Sequence, residues 1–361
     1  MSLHRTPTPT SAFPPIRHKL PWPPSGAWKS IAAHLIIPLF LGLGMAVFYL
    51  GAFHEPTPHN LPVAIVGQSP AVKVLAQTMN DSAPGKLQVT TVATAAEAQQ
   101  QLLHHEIAAA YDTDATHATI YVSKAYSDAE SSAAQEVFLP LAYQQKLPVT
   151  VSDVRPGGEH DPTAQGLFFL LVALSVGSYA SAVAVAASTA KLAIGWRMLV
   201  SAVVSLVVSG IGVIVAGPIY QVLAGNEWSI WLTASLYSFG IITIGVGLHP
   251  FLGKWTTPTL TLLFVMLNFT SSGGIFPTTL SPAFFSGLNT FWNGAAWLDA
   301  ARALTYFPGD QFGWDGLRLA LWATAGLGLI AVGHLASVRR RRLADDTIAA
   351  TSEEEASVVA A

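Results

Sequence analysis

Apolar residues along this chain fall into blocks of helix length separated by short polar breaks. The first block runs from Ile31 to about Phe53, interrupted by His34 and Pro38. Five more follow at about Gly166–Ser188, Met198–Leu223, Trp228–Leu248, Thr257–Phe276 and Leu319–Val338. A helix crossing a bilayer needs ~20 mostly apolar residues, so the pattern predicts six spans and an α-helical polytopic membrane protein. Between the first and second blocks the pattern changes to short runs. Leu61–Val66, Leu87–Val92, Ile107–Tyr111, Ala118–Val122 and Val149–Val154 read as strands. Pro70–Met79, Ala95–His105 and Ala129–Gln145 read as helices. Residues 54–163 are therefore expected to form a small α/β domain with crossover helices and a hairpin through Asp112–His117.

Charge strengthens this reading. Only 11% of residues are charged, and the mean hydropathy is +0.45. Between Asp161 and Asp299 stand one acidic residue, Glu227, and three basic ones, Lys191, Arg197 and Lys254. A water-facing surface cannot be built from so few charges. Basic residues also set orientation. Arg5, Arg17, Lys19, Lys29, Lys191, Arg197, Lys254 and the run Arg339–Arg342 fall on one side of a six-span layout, and only Arg302 and Arg318 on the shorter connections of the other. The positive-inside bias puts both termini in the cytoplasm and residues 54–163 outside it. The first apolar run is too long for the core of a cleaved signal peptide and reads as an uncleaved anchor. With no cysteine, no disulfide supports the external domain, which is compatible with a bacterial cell membrane.

The expected organisation is a disordered or interfacial amino-terminal segment over 1–29, with Ser25–Lys29 leading into a helix on the membrane surface. A first span over 30–53 and the external domain over 54–163 follow. A five-helix membrane domain over 164–338 and a disordered acidic tail over 339–361 complete the chain. The loop before the last span is unusual. It contains Ser271-Ser272-Gly273-Gly274-Ile275-Phe276-Pro277, then Leu280-Ser281-Pro282-Ala283-Phe284-Phe285, and later an Ala-rich stretch with Asp299 and Arg302. It is too apolar for an ordinary loop and too broken by Gly and Pro for a span. It reads either as a re-entrant segment over about 277–314 or as an amphipathic helix resting on the surface.

The Ser-Gly-Gly-x-Phe-Pro, the Leu-Ser-Pro-x-Phe-Phe and the Ala-rich helix ending near Arg302 resemble the membrane subunits of ABC exporters of the second type. The branch that includes YhgE and the phage-infection protein is the most similar. The resemblance covers most of residues 28–338, with its sharp motif confined to about Ser271–Leu304. It implies a half-transporter that dimerises, with itself or with a related permease, and exports an apolar or amphipathic substrate with a separate ABC ATPase. Ser272, Gly273, Gly274, Pro277, Asp299 and Arg302 become the re-entrant or gate motif. The connection Ser188–Arg197, with Lys191, Trp196 and Arg197, sits where a coupling helix would meet the ATPase; a plain positively charged turn is the simpler reading.

Other chemistry is thin. Gly247…Gly253-Lys254 has the wrong spacing for a phosphate loop, and Trp255 stands where a hydroxyl is needed. No hydrolase motif is present, so no enzymatic activity is expected of this chain. No carboxylate lies inside a predicted span, and His34 and His334 lack relay partners, which disfavours ion coupling. The histidines of the external domain do not form a ligand pattern, so neither a metal nor a cofactor is expected. Lipid is an expected partner and nucleic acid is not. Asp299 and Arg302 are expected to pair or to gate the pathway, and Arg318 to reach water. The small-residue stripes Ala173/Gly177/Ser181 and Ser201/Ser205/Ser209 fit either packing or a dimer interface. The alternative function is a non-transporting envelope scaffold or receptor that binds through the external domain.

Overall fold

The computed structural model describes residues 25–223, 225–307 and 312–359. The expected disorder over residues 1–24 lies outside them. The chain divides into two units after Phe40, and the second runs from Leu41 onward.

A five-stranded sheet organises residues 61–153. Its strands are β1 (Leu61–Val66), β2 (Leu87–Val92), β3 (Ala109–Thr113), β4 (Ala118–Val122) and β5 (Val149–Asp153), in the order β2-β1-β3-β4-β5. Neighbours are parallel except β3 and β4, which form an antiparallel hairpin. Asp114 closes that hairpin by accepting from the Thr116 and His117 amides. Helix α1 spans Ser25–Phe53, and α2 (Pro70–Ser82), α3 (Ala95–Leu103) and α4 (Asp128–Gln145) connect the strands. Each of α2, α3 and α4 begins on a Ser or Thr whose hydroxyl accepts an amide of its first turn, at Ser69, Thr94 and Ser127. One sheet face buries Leu61, Val63, Tyr111 and Ile120 against Ala76 of α2 and Phe138 of α4. The other buries Ala64, Val92 and Ala110 against Ala98 and Leu102 of α3. The crossovers expected from sequence are present. Helix α3 stops two residues short of its expected end, because His105 takes a left-handed backbone with φ +53°.

The rest of the chain is mostly helical. Helices α5 (Gly166–Ser188), α6 (Ile194–Ile214) and α7 (Glu227–Leu252) are followed by a run from Thr256 to Ser271 that comprises α8 (Thr256–Thr261), a π-helical stretch Leu262–Met266 and α9 (Leu267–Ser271). Then come α10 (Ala283–Asn289), α11 (Asn293–Tyr306) and α12 (Gly313–Val359). Gly217-Pro218, expected to kink the third span, lies in a π-helical stretch, Val215–Ile219, that ends α6.

Among the described residues, five helical stretches are long and apolar enough to cross a membrane: Leu35–Phe53, Gly166–Ser188, Ile194–Ile219, Glu227–Ser271 and Gly313–Arg340. The sequence pattern separates six. The difference lies in the fourth stretch, 45 residues long, which doubles back at Gly253 (φ +53°). Three paired contacts step in opposite senses along its two arms. His249 bonds Thr256 at 3.0 Å, Leu260 lies against Gly245, and Asn268 bonds the Tyr237 hydroxyl at 2.5 Å.

The same kind of contact orders the other helices. Ser175 meets Tyr237 at 2.6 Å and Ala182 packs on Gly245, so α5 and α7 run parallel. Ser209 meets Ser235 at 2.7 Å and Arg197 meets Val246 at 3.0 Å, so α6 runs against α7. Gly240 faces Ala323, Gly326 faces Thr243 and Gly247 faces Leu329, so α12 runs with α7. Met266 packs on Gly44, and Phe269 and Phe276 stand beside Tyr49 and Phe53, so the end of α1 runs with α8 and α9. Successive long segments thus alternate in direction. The end of the bundle where α5, α7 and α12 begin is the proximal end, at which the α/β domain joins the chain.

Three expectations change at the termini. The turns over Ser25–Lys29 belong to α1 rather than to a separate surface helix. Helix α12 begins at Gly313, six residues before the expected start. The tail expected to be irregular is helical through Val359, consistent with its many Ala, Glu and Arg residues, which are strong helix formers.

Candidate functional site

The segment between Ser271 and Gly313 holds most of the motif residues. Ser272 donates to the Phe269 carbonyl at 3.1 Å and accepts from the Gly274 amide at 3.2 Å. Gly273 takes φ +74°, a region in which a side chain is strained. A Cβ on Gly274 would collide with the Phe168 ring of α5. The Pro277 carbonyl accepts from the Leu280 amide at 3.0 Å, turning the chain toward α10. Helices α10 and α11 then form a short hairpin. Its tip lies well below the proximal end, because Trp292 donates to the Leu263 carbonyl at 3.3 Å and Trp322 to the Phe291 carbonyl at 2.8 Å. The second arm returns, and Asn226, just before α7, donates to the Leu304 carbonyl at 2.6 Å.

Breaking helices inside an apolar bundle leaves carbonyls without amide partners. Arginines fill these positions. Arg302 is buried, and its guanidinium donates to the Gly273 carbonyl at 3.0 Å. Arg318 is also buried and donates to the Asn289 and Thr290 carbonyls, at the end of α10, at 2.9 and 3.3 Å. Arg197 donates to the Val246 carbonyl at 3.0 Å. That carbonyl lies four residues before Pro250, which has no amide to offer it. Arg340 donates to the Pro250 carbonyl at 3.1 Å.

This pattern corrects one expectation and leaves another in place. Arg318 does not reach water, because the end of α10 supplies carbonyls that hold it inside. Asp299 and Arg302 do approach, at 3.8 Å, but each has a nearer partner. Asp299 lies 3.2 Å from Arg318, which also contacts Asp315. Two carboxylates and two guanidiniums therefore share one cluster, and the hairpin is tied to the first turns of α12.

The α/β domain closes over this cluster. Arg302 stands 5.0 Å from the centre of the Tyr126 ring, a cation–π arrangement. The other face of the junction stacks His105 on Tyr126, with ring centres 3.2 Å apart. His105 Nε2 lies 2.9 Å from Glu130, which is 3% exposed. The Thr279 hydroxyl donates to the other oxygen of Glu130, and the His59 amide donates to the Thr279 carbonyl at 2.7 Å. Burial pushes the Glu130 carboxyl up, but the His105 bond and charge, the Thr279 hydroxyl and Arg302 outweigh it and hold the group below the usual range. Tyr306 donates to Asp161 at 2.9 Å, and Asp161 also accepts from the Gln165 and Gly166 amides at the start of α5. A cavity of about 300 Å³ lies between domain and hairpin, lined by His104, His105, Tyr126, Asp299, Arg302 and Asp315 among others.

The structure brings Ser272, Gly273, Gly274, Pro277, Asp299 and Arg302 into one region. It separates the expected coupling residues from one another. Lys191 and Trp196 are exposed, whereas Arg197, in the first turn of α6, is buried against α7. The connection itself is a turn between Ser188 and Ile194 with no helix of its own. Sequence reading missed Glu130, Tyr126, Thr279 and Asp315. Only Glu130 left a signal, as an acidic residue three positions after Ser127 at a helix start, and that signal marks a cap rather than a buried junction. Comparison with protein families, curated proteins and solved structures returned no match to this chain.

Proposed function

We propose that the chain is the membrane permease subunit of an ABC-type exporter, working as a dimer and driven by a separate ATPase. The observation that carries this reading is the alternation of six long segments with a broken hairpin, α10–α11, inserted before the last. On this reading the fourth apolar stretch crosses twice, the proximal end faces outward with the α/β domain, and both termini are cytoplasmic, in a bacterial cell membrane. The hairpin dips into the outer leaflet, and arginine-held carbonyls make its broken backbone tolerable there. Exposed Lys191 and Trp196 at the far end supply the docking point for the ATPase, and Arg197 anchors the turn behind them. The substrate is apolar or amphipathic.

Purification in mild detergent tests this. A co-purifying ATPase whose turnover falls on Lys191→Ala and Trp196→Ala supports the proposal. Solute movement by the chain alone in liposomes, driven by a pH or sodium difference without nucleotide, refutes it. A scaffold or receptor role draws on a different observation. Leu139 and Tyr143 on α4 are exposed beside Leu147 and Val149 and form an apolar patch on the domain.

A further inference from the structure

We propose that Glu130, His105 and Thr279 form a clasp by which the α/β domain holds the entry to the α10–α11 hairpin in place. The clasp follows from the contacts between domain and hairpin and stands apart from the permease reading.

Thr279 lies in the loop that leads from α9 into α10, and it is held twice. Its hydroxyl bonds Glu130 and its carbonyl accepts from the His59 amide at 2.7 Å. Both partners belong to the α/β side of the chain. The loop's own bonds stand on either side of Thr279, where Ser286 donates to the Thr278 and Ser281 carbonyls at 3.0 and 3.1 Å. Holding Thr279 therefore fixes the start of α10.

Glu130 is suited to this task by its place. It sits in the first turn of α4, where its amide is bound by the Ser127 hydroxyl at 3.2 Å, and the amino-terminal end of a helix favours a negative charge. A carboxylate this buried needs partners for both oxygens. One oxygen takes His105 and the other takes Thr279. His105 is in turn fixed by its stack on Tyr126, whose ring also carries Arg302 of the second hairpin arm. The clasp thus reaches both arms of the hairpin. Withdrawal of the domain breaks the Glu130–Thr279 bond and leaves the carboxylate with His105 alone, so the clasp opposes separation of domain and hairpin.

The test is hydrogen exchange on the full chain in lipid nanodiscs. Glu130→Gln and Thr279→Val should each speed exchange over residues 277–289 by about tenfold or more, the lower end of what one charge-assisted hydrogen bond is worth. Exchange in α6 should stay unchanged, and the double variant should add little to either single one. Unchanged exchange over 277–289 in both variants overturns the clasp. If Glu130→Gln loosens the whole chain, Thr279→Val decides alone: local acceleration supports the clasp and silence refutes it. No partner is needed, so a null result leaves the permease reading standing, and a chain that recruits no ATPase leaves the clasp standing.

Discussion

The pairing of Arg197 with the carbonyl released by Pro250 makes a quantitative prediction. Arg197→Met keeps most of the apolar stem and removes the guanidinium. The Val246 carbonyl then has neither an amide nor an arginine. A hydrogen bond to a charged group contributes about 1.5–3 kcal/mol, and a buried group left unpaired costs a further ~1–3 kcal/mol. The single variant should therefore lose about 2.5–6 kcal/mol. Pro250→Ala restores an amide at the position that can reach Val246. In that background Arg197→Met should cost about 1–2 kcal/mol less than in the parent. The assay is unfolding in mixed micelles, followed by the fluorescence of the ten tryptophans. Costs that add within about 0.5 kcal/mol would refute the reasoning, because they would show that arginine and proline act independently.

Four more variants, in three comparisons, test the same geometry. Arg302→Leu should destabilise more than Asp299→Asn in the same unfolding assay, because Asp299 is one of several partners while the Gly273 carbonyl depends on Arg302; the reverse order would make the ion pair the dominant contact. Gly247→Leu should separate α7 from α12, since a Cβ there would stand 2.5 Å from the Leu329 carbonyl carbon; a loss of at least ~1–3 kcal/mol is expected, and an unchanged melting temperature would contradict it. Glu130, held below the ordinary carboxylate range, contributes stability that is present above the unfolded value of about 4.3 and is lost as pH falls through its folded value. Glu130→Gln should therefore flatten the acid limb of a melting-temperature profile below about pH 5, and an identical limb in both proteins would argue against the buried charge.

Much of the scaffold was legible because it depends on local pattern. Apolar block length marked the membrane helices, and short runs between polar breaks marked the strands, so the order of elements and the β3–β4 hairpin could be read before any contact was known. Boundaries failed where tertiary contacts decide. Helix α3 ends where His105 turns to meet Glu130, and α12 begins early because Arg318 finds partners on the hairpin and Asp315 pairs with Arg318 within the helix. The motif residues were legible as a group since glycine and proline announce a broken helix. Their partners were not. An arginine in a sparse loop looks the same in sequence whether it reaches water or a stranded carbonyl, and charge counting sent Arg318 outward and Arg197 to a partner protein. The rule that would have placed them is accounting for the backbone. Every break that Pro250, Gly273 or the end of α10 at Thr290 creates in an apolar bundle demands a donor, and the chain has few donors to give. Arg197, Arg302 and Arg318 are three of them, so their positions follow from the breaks more closely than from the positive-inside bias.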